Sequence, residues 1–158
     1  MRIIIFFLTA AIIVAADQLS KIWIRTNLAI GESFFELGFF QIIRITPNTG
    51  AAFGLFRGQT FILIIVSLIV VALLLTYALY LYRYFPFLNN SRGWVALGLI
   101  FGGTTGNLID RLNPALSGVT DFINIGFWPT FNIADSATTI GTIIFAYSLL
   151  RLALAERQ

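Results

Sequence analysis

The chain has 158 residues, 58% of them hydrophobic and 11% charged, with a formal net charge of +3. Soluble domains average about 45–50% apolar and about 25% charged residues, so too few charges are present to cover a water-soluble globule, and a mean hydropathy of +0.89 assigns the chain to a membrane. The absence of cysteine and histidine excludes disulfides, thiol nucleophiles, Ser-His-Asp triads and imidazole metal ligands, and the small basic surplus does not suggest nucleic acid.

Four apolar stretches predict four membrane spans, at about residues 3–24, 60–82, 94–110 and 133–152, in a single integral membrane domain covering 1–158. The first runs for about 22 residues, or ~33 Å as a helix, enough for a hydrocarbon core of ~30 Å. Arg2 and Val14-Ala15-Ala16 also suit a cleavable signal peptide, but the later stretches alone make the chain polytopic. The second stretch is uncharged throughout and predicts a plain lipid-facing span. In the third, Gly98, Gly102, Gly103 and Gly106 recur at three- and four-residue spacing. Small residues let helices approach closely inside a bilayer, so this helix should be the central one. The fourth begins with Asp135, Ser136, Thr138 and Thr139 and becomes fully apolar only near its end, so its start should face other helices.

Between the first two spans lies a segment of different character, about residues 28–59, with Glu32, Glu36, Arg44, Arg57 and several glycines. Phe39-Phe40-Gln41-Ile42-Ile43-Arg44-Ile45-Thr46 reads as a strand, and Pro47-Asn48-Thr49-Gly50 as a turn. The expected fold class is thus a mainly α membrane protein of four transmembrane helices, with a small extramembrane β-sheet lying against the bilayer.

Four spans put both termini and the 83–93 loop on one side. Lys and Arg divide evenly, with Arg2, Arg83, Arg92, Arg151 and Arg157 facing Lys21, Arg25, Arg44, Arg57 and Arg111. The bare count leaves orientation open, while the density of Arg in the 83–93 loop favours a cytoplasmic position for it. The acids are uneven: Glu156 alone falls on that side, and Asp17, Glu32, Glu36, Asp110, Asp121 and Asp135 fall on the other.

An ionisable group within a span costs about 2.5–3.5 kcal/mol on insertion scales and marks a functional hypothesis. Asp17 and Lys21, four apart, share a helix face and read either as an interfacial ion pair or as part of a site. Asn107, Asp110 and Arg111 follow the glycines on one helix face; with Arg111 holding Asp110 ionised, a structural network is as good a reading as direct chemistry. Asp121 and Asp135 have no basic neighbour in sequence. Two carboxylates brought together can share a proton, giving a base for water and an acid for a carbonyl.

Five blocks then occur in order: Asp17-Gln18 with Lys21; Asn48-Thr49-Gly50-Ala51-Ala52-Phe53; Gly102-Gly103 with Gly106-Asn107-Leu108-Ile109-Asp110-Arg111; Val119 with Asp121-Phe122; and Phe131-Asn132-Ile133-Ala134-Asp135-Ser136. Together they resemble the lipoprotein signal peptidases, or signal peptidase II, over nearly the whole chain. The resemblance implies an intramembrane aspartic endopeptidase of the bacterial cytoplasmic (inner) membrane, multi-pass with cytoplasmic termini and an active site near the outer face. It would cut signal peptides from diacylglyceryl-modified prolipoproteins just before the lipidated cysteine. The family's catalytic dyad falls on Asp121 and Asp135, and its supporting residues on Asn48, Gly50, Asn107, Asp110, Arg111 and Asn132, with Asp17 and Lys21 near the substrate's polar end. The resemblance further implies a cover over the site at about residues 28–59 that includes a short helix, no metal or organic cofactor, membrane lipid and lipidated precursors as partners, and peptide-like inhibitors of the globomycin type. Two departures stand out: residues 112–118 are slightly longer than the usual link, and the stretch from Asp121 to Asp135 is several residues shorter.

Two readings from other classes remain open on the residues alone. Intramembrane acids and glycine-rich helices also suit a small transporter or channel, although the charges stop at one face. A non-catalytic factor that binds lipidated proteins would tolerate replacement of both aspartates.

Overall fold

A computed structural model of the chain describes residues 2–50, 56–84 and 90–155. Long apolar runs fold as α1 (Arg2–Asn27), α2 (Thr60–Leu79), α3 (Ser91–Leu112) and α4 (Ile133–Ala155). Of these, α1, α2 and α4 are long and apolar enough to cross a membrane. The expected fourth span is thus not marked by its composition. Glycine, threonine, asparagine and charge dilute α3, because this helix faces protein on most sides, and it packs against each of the other three. By contrast, α2 fully buries only Leu63, Ser67 and Ala78, packs Leu74, Leu75 and Tyr77 partly against the core, and exposes much of its remaining apolar surface.

Asn90 opens α3 by accepting the Gly93 N–H on its side chain at 2.9 Å, filling one of the donors that a helix start leaves unpaired. Along α3, Gly98 and Gly102 lie against α1, and Gly103 sits against the Ala134 carbonyl and Thr138 of α4. Gly106 brings the backbone close to the polar residues: a Cβ there would fall 2.5 Å from Asp17 Oδ2 and 3.3 Å from the Ala134 Cβ. Bare backbone lets three helices meet at the level of the polar residues. Apolar clusters close the bundle on either side, with Phe6, Ala78, Trp94 and Leu97 in one and Ile24, Leu28 and Phe122 in the other.

The sheet departs from expectation. It has four antiparallel strands in the order β1 (Ser33–Leu37), β2 (Phe40–Ile43), β3 (Ile123–Ile125) and β4 (Trp128–Phe131). Only half of it comes from the segment between the first two helices; the other half comes from the connection between α3 and α4. The physical reason is edge pairing. A lone two-stranded hairpin is marginal, and β2 satisfies its free edge against β3, with Gln41 opposite Asn124. Both hairpins turn on Gly-Phe, at Gly38-Phe39 and Gly126-Phe127, and each glycine takes the positive φ that such a tight turn needs (58° and 55°). The tips meet where the Gly126 N–H donates to the Phe39 carbonyl at 2.6 Å. The expected short helix is not found among the described residues of the 28–59 segment, of which 51–55 lie outside the description. The shortened Asp121 to Asp135 stretch is this second hairpin.

Candidate active site

Asp135 enters its position through helix capping. Asn132 precedes α4, and its Oδ1 accepts the Asp135 N–H at 3.0 Å while Asp135 Oδ2 accepts the Asn132 N–H at 3.1 Å. This reciprocal exchange is a capping box built from Asn and Asp, and it fixes the carboxylate at the helix mouth. The other oxygen, Oδ1, accepts from Asn107 Nδ2 at 2.8 Å.

Asp121 is held from its backbone outward. On one side, Val119 exchanges two backbone hydrogen bonds with Asn48, at 2.8 and 2.9 Å. On the other, the Phe122 N–H donates to Phe131 O at 3.0 Å and its carbonyl accepts from Ile43 N–H at 2.9 Å. The carboxylate then accepts from Asn132 Nδ2 at 2.7 Å and from Asn48 Nδ2 at 3.0 Å. Asn48 is itself locked by an Asx turn, its Oδ1 accepting the Gly50 N–H at 2.9 Å. Asn132 therefore binds both candidate carboxylates, one through its side chain and one through its backbone.

Behind this layer lies a buried ionic network. Lys21 and Asp17 are both fully buried and pair at 2.9 Å, and Lys21 Nζ also reaches Asn107 Oδ1 at 2.9 Å and Asp110 at 3.4 Å. Asp17 Oδ1 accepts the Ala134 N–H at 3.0 Å, a second donor at the α4 N-terminus. Asp110 accepts the Thr120 N–H at 3.0 Å, next to Asp121, and lies 3.4 Å from Arg25. Losing one member of such a network leaves a buried charge uncompensated, typically about 3–5 kcal/mol.

The structure decides one sequence reading and changes another. The Asp17–Lys21 pair, open in sequence between an interfacial ion pair and part of a site, is sealed inside the protein behind Asn107. Arg111 does not hold Asp110: Arg111 Nη2 donates to the Gly50 carbonyl at 3.1 Å, and Asp110 turns to Lys21 and Arg25. Successive helical residues point about 100° apart, so adjacent Asp110 and Arg111 diverge, one toward α1 and the other toward the cavity.

That cavity has a volume of about 690 Å³, and its wall includes Asn48, Gly50, Asn107, Arg111, Asp121 and Asp135. The remaining expected site residues, Asn132, Asp110, Asp17 and Lys21, support the wall from behind. Among the described residues no group of three acidic side chains is placed to hold a metal ion. Burial, reinforced by the nearby Asp135 charge, pushes the Asp121 carboxyl up to about 7, against the hydrogen bonds from Asn48 and Asn132 and the charge of Lys21.

Sequence reasoning missed Arg25 and Thr120, whose Nη1–Oγ1 bond of 3.0 Å ties the end of α1 to the loop carrying Asp121. Arg25 lies one helical turn beyond Lys21, and that spacing was the available signal. It also missed Gln18 as a clamp, which donates to the Gly106 carbonyl at 3.0 Å.

Residues 9–151 match the family described as signal peptidase (SPase) II. A lipoprotein signal peptidase of Dehalococcoides mccartyi (strain CBDB1) is 51% identical over 142 residues, covering 90% of this chain and 86% of the relative. One from Moorella thermoacetica is 40% identical over 145 residues, covering 92% of each. Among solved structures, a bacterial membrane enzyme determined by the in meso method at 2.3 Å resolution superposes with a TM-score of 0.79 at 35% identity, covering 92% of this chain and 87% of that one.

Proposed function

The chain belongs to the signal peptidase II family and is a membrane peptidase, and on that premise we propose that it cleaves diacylglyceryl-modified prolipoproteins before the lipidated cysteine, with Asp121 and Asp135 as its catalytic pair. The observation that carries this reading is the double grip of Asn132 on the two carboxylates at the wall of one cavity. Two acids so held, one of them with its pKa displaced to about 7, suit a pair that shares a single proton near neutral pH.

In this mechanism Asp121 carries the shared proton and hydrogen-bonds the scissile carbonyl oxygen. Asp135 takes a proton from water, and the resulting hydroxide attacks the carbonyl carbon. The tetrahedral species collapses as a carboxylic acid passes its proton to the departing cysteine nitrogen. Asn48, Asn107 and Asn132 aim the two carboxylates. Arg111, anchored to the Gly50 carbonyl, presents its remaining donors at the cavity wall to the substrate backbone. Asp17, Lys21 and Asp110 act from behind, holding Asn107, the start of α4 and the Thr120 backbone. No metal or organic cofactor takes part.

The proposed setting is the bacterial cytoplasmic membrane, with α3 as a fourth span, cytoplasmic termini and the site near the outer face. Lipidated precursors and membrane lipid are its partners, and peptide-like inhibitors of the globomycin type would occupy the same cavity. The test is incubation of the protein in nanodiscs with two synthetic precursor peptides, one carrying diacylglyceryl-cysteine and one unmodified cysteine. Mass spectrometry should show cleavage of the lipidated peptide only, directly before the cysteine. An uncut precursor together with proton or ion flux across liposomes would replace this reading with the channel reading.

A further inference from the structure

Hydroxyl side chains inside apolar helices ordinarily satisfy themselves on the carbonyl one turn earlier. Thr76, Thr138, Thr142 and Ser148 do so here, with bonds of 2.8, 2.9, 2.7 and 2.8 Å to Ala72, Ala134, Thr138 and Ile144. Others do not, Thr9 on α1 among them, and three of these stand together. Ser67 on α2, Thr104 on α3 and Thr139 on α4 all line the cavity, and among the described residues none of their hydroxyls makes a hydrogen bond. Ser67 is only 9% exposed. The Thr105 hydroxyl also lacks a partner among the described residues, but it is not on the cavity wall.

Their placement is ordered by the helices. The contacts of Asn107 with Asp135, of Gly103 with Thr138 and of Gly141 with Leu99 and Ile100 show α3 and α4 running antiparallel. Thr104 precedes Asn107 by about one turn and Thr139 follows Asp135 by about one turn, so both lie ~5 Å deeper than the rung bearing Asp135. Ser67 supplies a hydroxyl from the third helix of the same wall. A peptide drawn into this cavity as an extended strand exposes backbone N–H and C=O groups in a medium where each unsatisfied group costs several kcal/mol. A hydroxyl both donates and accepts, which matches a backbone, whereas an acyl chain at this depth offers no polar group at all.

We propose that Ser67, Thr104 and Thr139 form a backbone-binding subsite for the unwound end of the signal peptide, immediately before the scissile bond. The inference rests on the peptidase reading above and deepens it, since recognition through backbone groups would accept signal peptides of varied sequence.

The test combines protein variants with a substrate change, read on the full-length protein in nanodiscs. The triple variant Ser67→Ala, Thr104→Val, Thr139→Val should raise KM for a lipidated precursor about tenfold or more, as expected for three modest hydrogen bonds, with kcat nearly unchanged. Precursors in which one amide just before the cleavage site is replaced by an ester should raise KM for the native protein and add nothing further in the triple variant. Ser67→Thr, Thr104→Ser and Thr139→Ser together keep every hydroxyl and should keep the native KM. A native KM in the triple variant, a loss that adds to that of the ester, or a loss that follows shortening of the acyl chains instead would overturn the subsite. If the triple variant does not fold, the ester series on the native protein decides: an unchanged KM at every position overturns the proposal. Failure of the native protein to cut any precursor would sink the peptidase reading itself, a result distinct from all of these.

Discussion

Asn132 and Asp121 hold most of what is chemically unusual in this chain. An acid whose pKa rises on folding keeps its proton longer in the native state than in the unfolded one. For Asp121, raised from 3.8 to about 7, the associated stability is complete below about pH 4 and is lost as pH rises through 7. The melting temperature of the native protein in detergent should therefore fall more steeply between pH 4 and 7 than that of Asp121→Asn, and the two curves should run parallel above that window. Parallel curves throughout would mean that Asp121 titrates normally. At this scale the sequence was informative about identity and less so about arrangement. Asn132-Ile133-Ala134-Asp135 has the spacing of a capping box, a local signal that the sequence reading did not use, and it positions Asp135. Nothing in the one-dimensional order of Asp110 and Arg111 says which neighbour each will face, because that depends on where α1 packs.

Among the elements, α3 sets the geometry by being thin where it matters. Ala is a better helix former than Gly by about 1 kcal/mol, yet Gly106→Ala should destabilise the protein, since its methyl would meet Asp17 Oδ2 and the Ala134 Cβ. Overpacking of this kind costs about 1–3 kcal/mol, and a thermal melt should register it together with reduced cleavage, because Asn107 is carried on the next residue. A melting temperature at or above native would show that α3 has room to spare. The glycine stripe made the central position of α3 legible, whereas the sheet was legible only in part. One strand was readable around Phe40 to Ile43, but β3 and β4 are short and have no alternation of their own. Their existence follows from pairing across about 80 residues, with the Gly126-Phe127 turn as the local clue.

At the scale of the molecule, all four aspartates of the sequence join one network through Lys21, Asn107 and Asn132. The apolar surface of α1, α2 and α4 surrounds the bundle that carries it. If α3 is the fourth span, the start of α3 and the sheet lie on opposite sides. The natural absence of cysteine gives a clean background for testing this: Phe127→Cys at the fully exposed hairpin tip (99%) should react with an impermeant thiol reagent from outside the cell, and the exposed Arg92→Cys only after the membrane is opened. Labelling of both from one side would remove α3 as a span. The central claim is that two aspartates from different elements become one catalytic pair only in the completed fold, while Asp110 serves as support. Cleavage of a lipidated precursor by folded Asp121→Asn, Asp135→Asn and Asp110→Asn proteins tests it most directly. The account predicts that the first two are inactive and that Asp110→Asn retains measurable turnover; normal cleavage by Asp121→Asn with none by Asp110→Asn would contradict it.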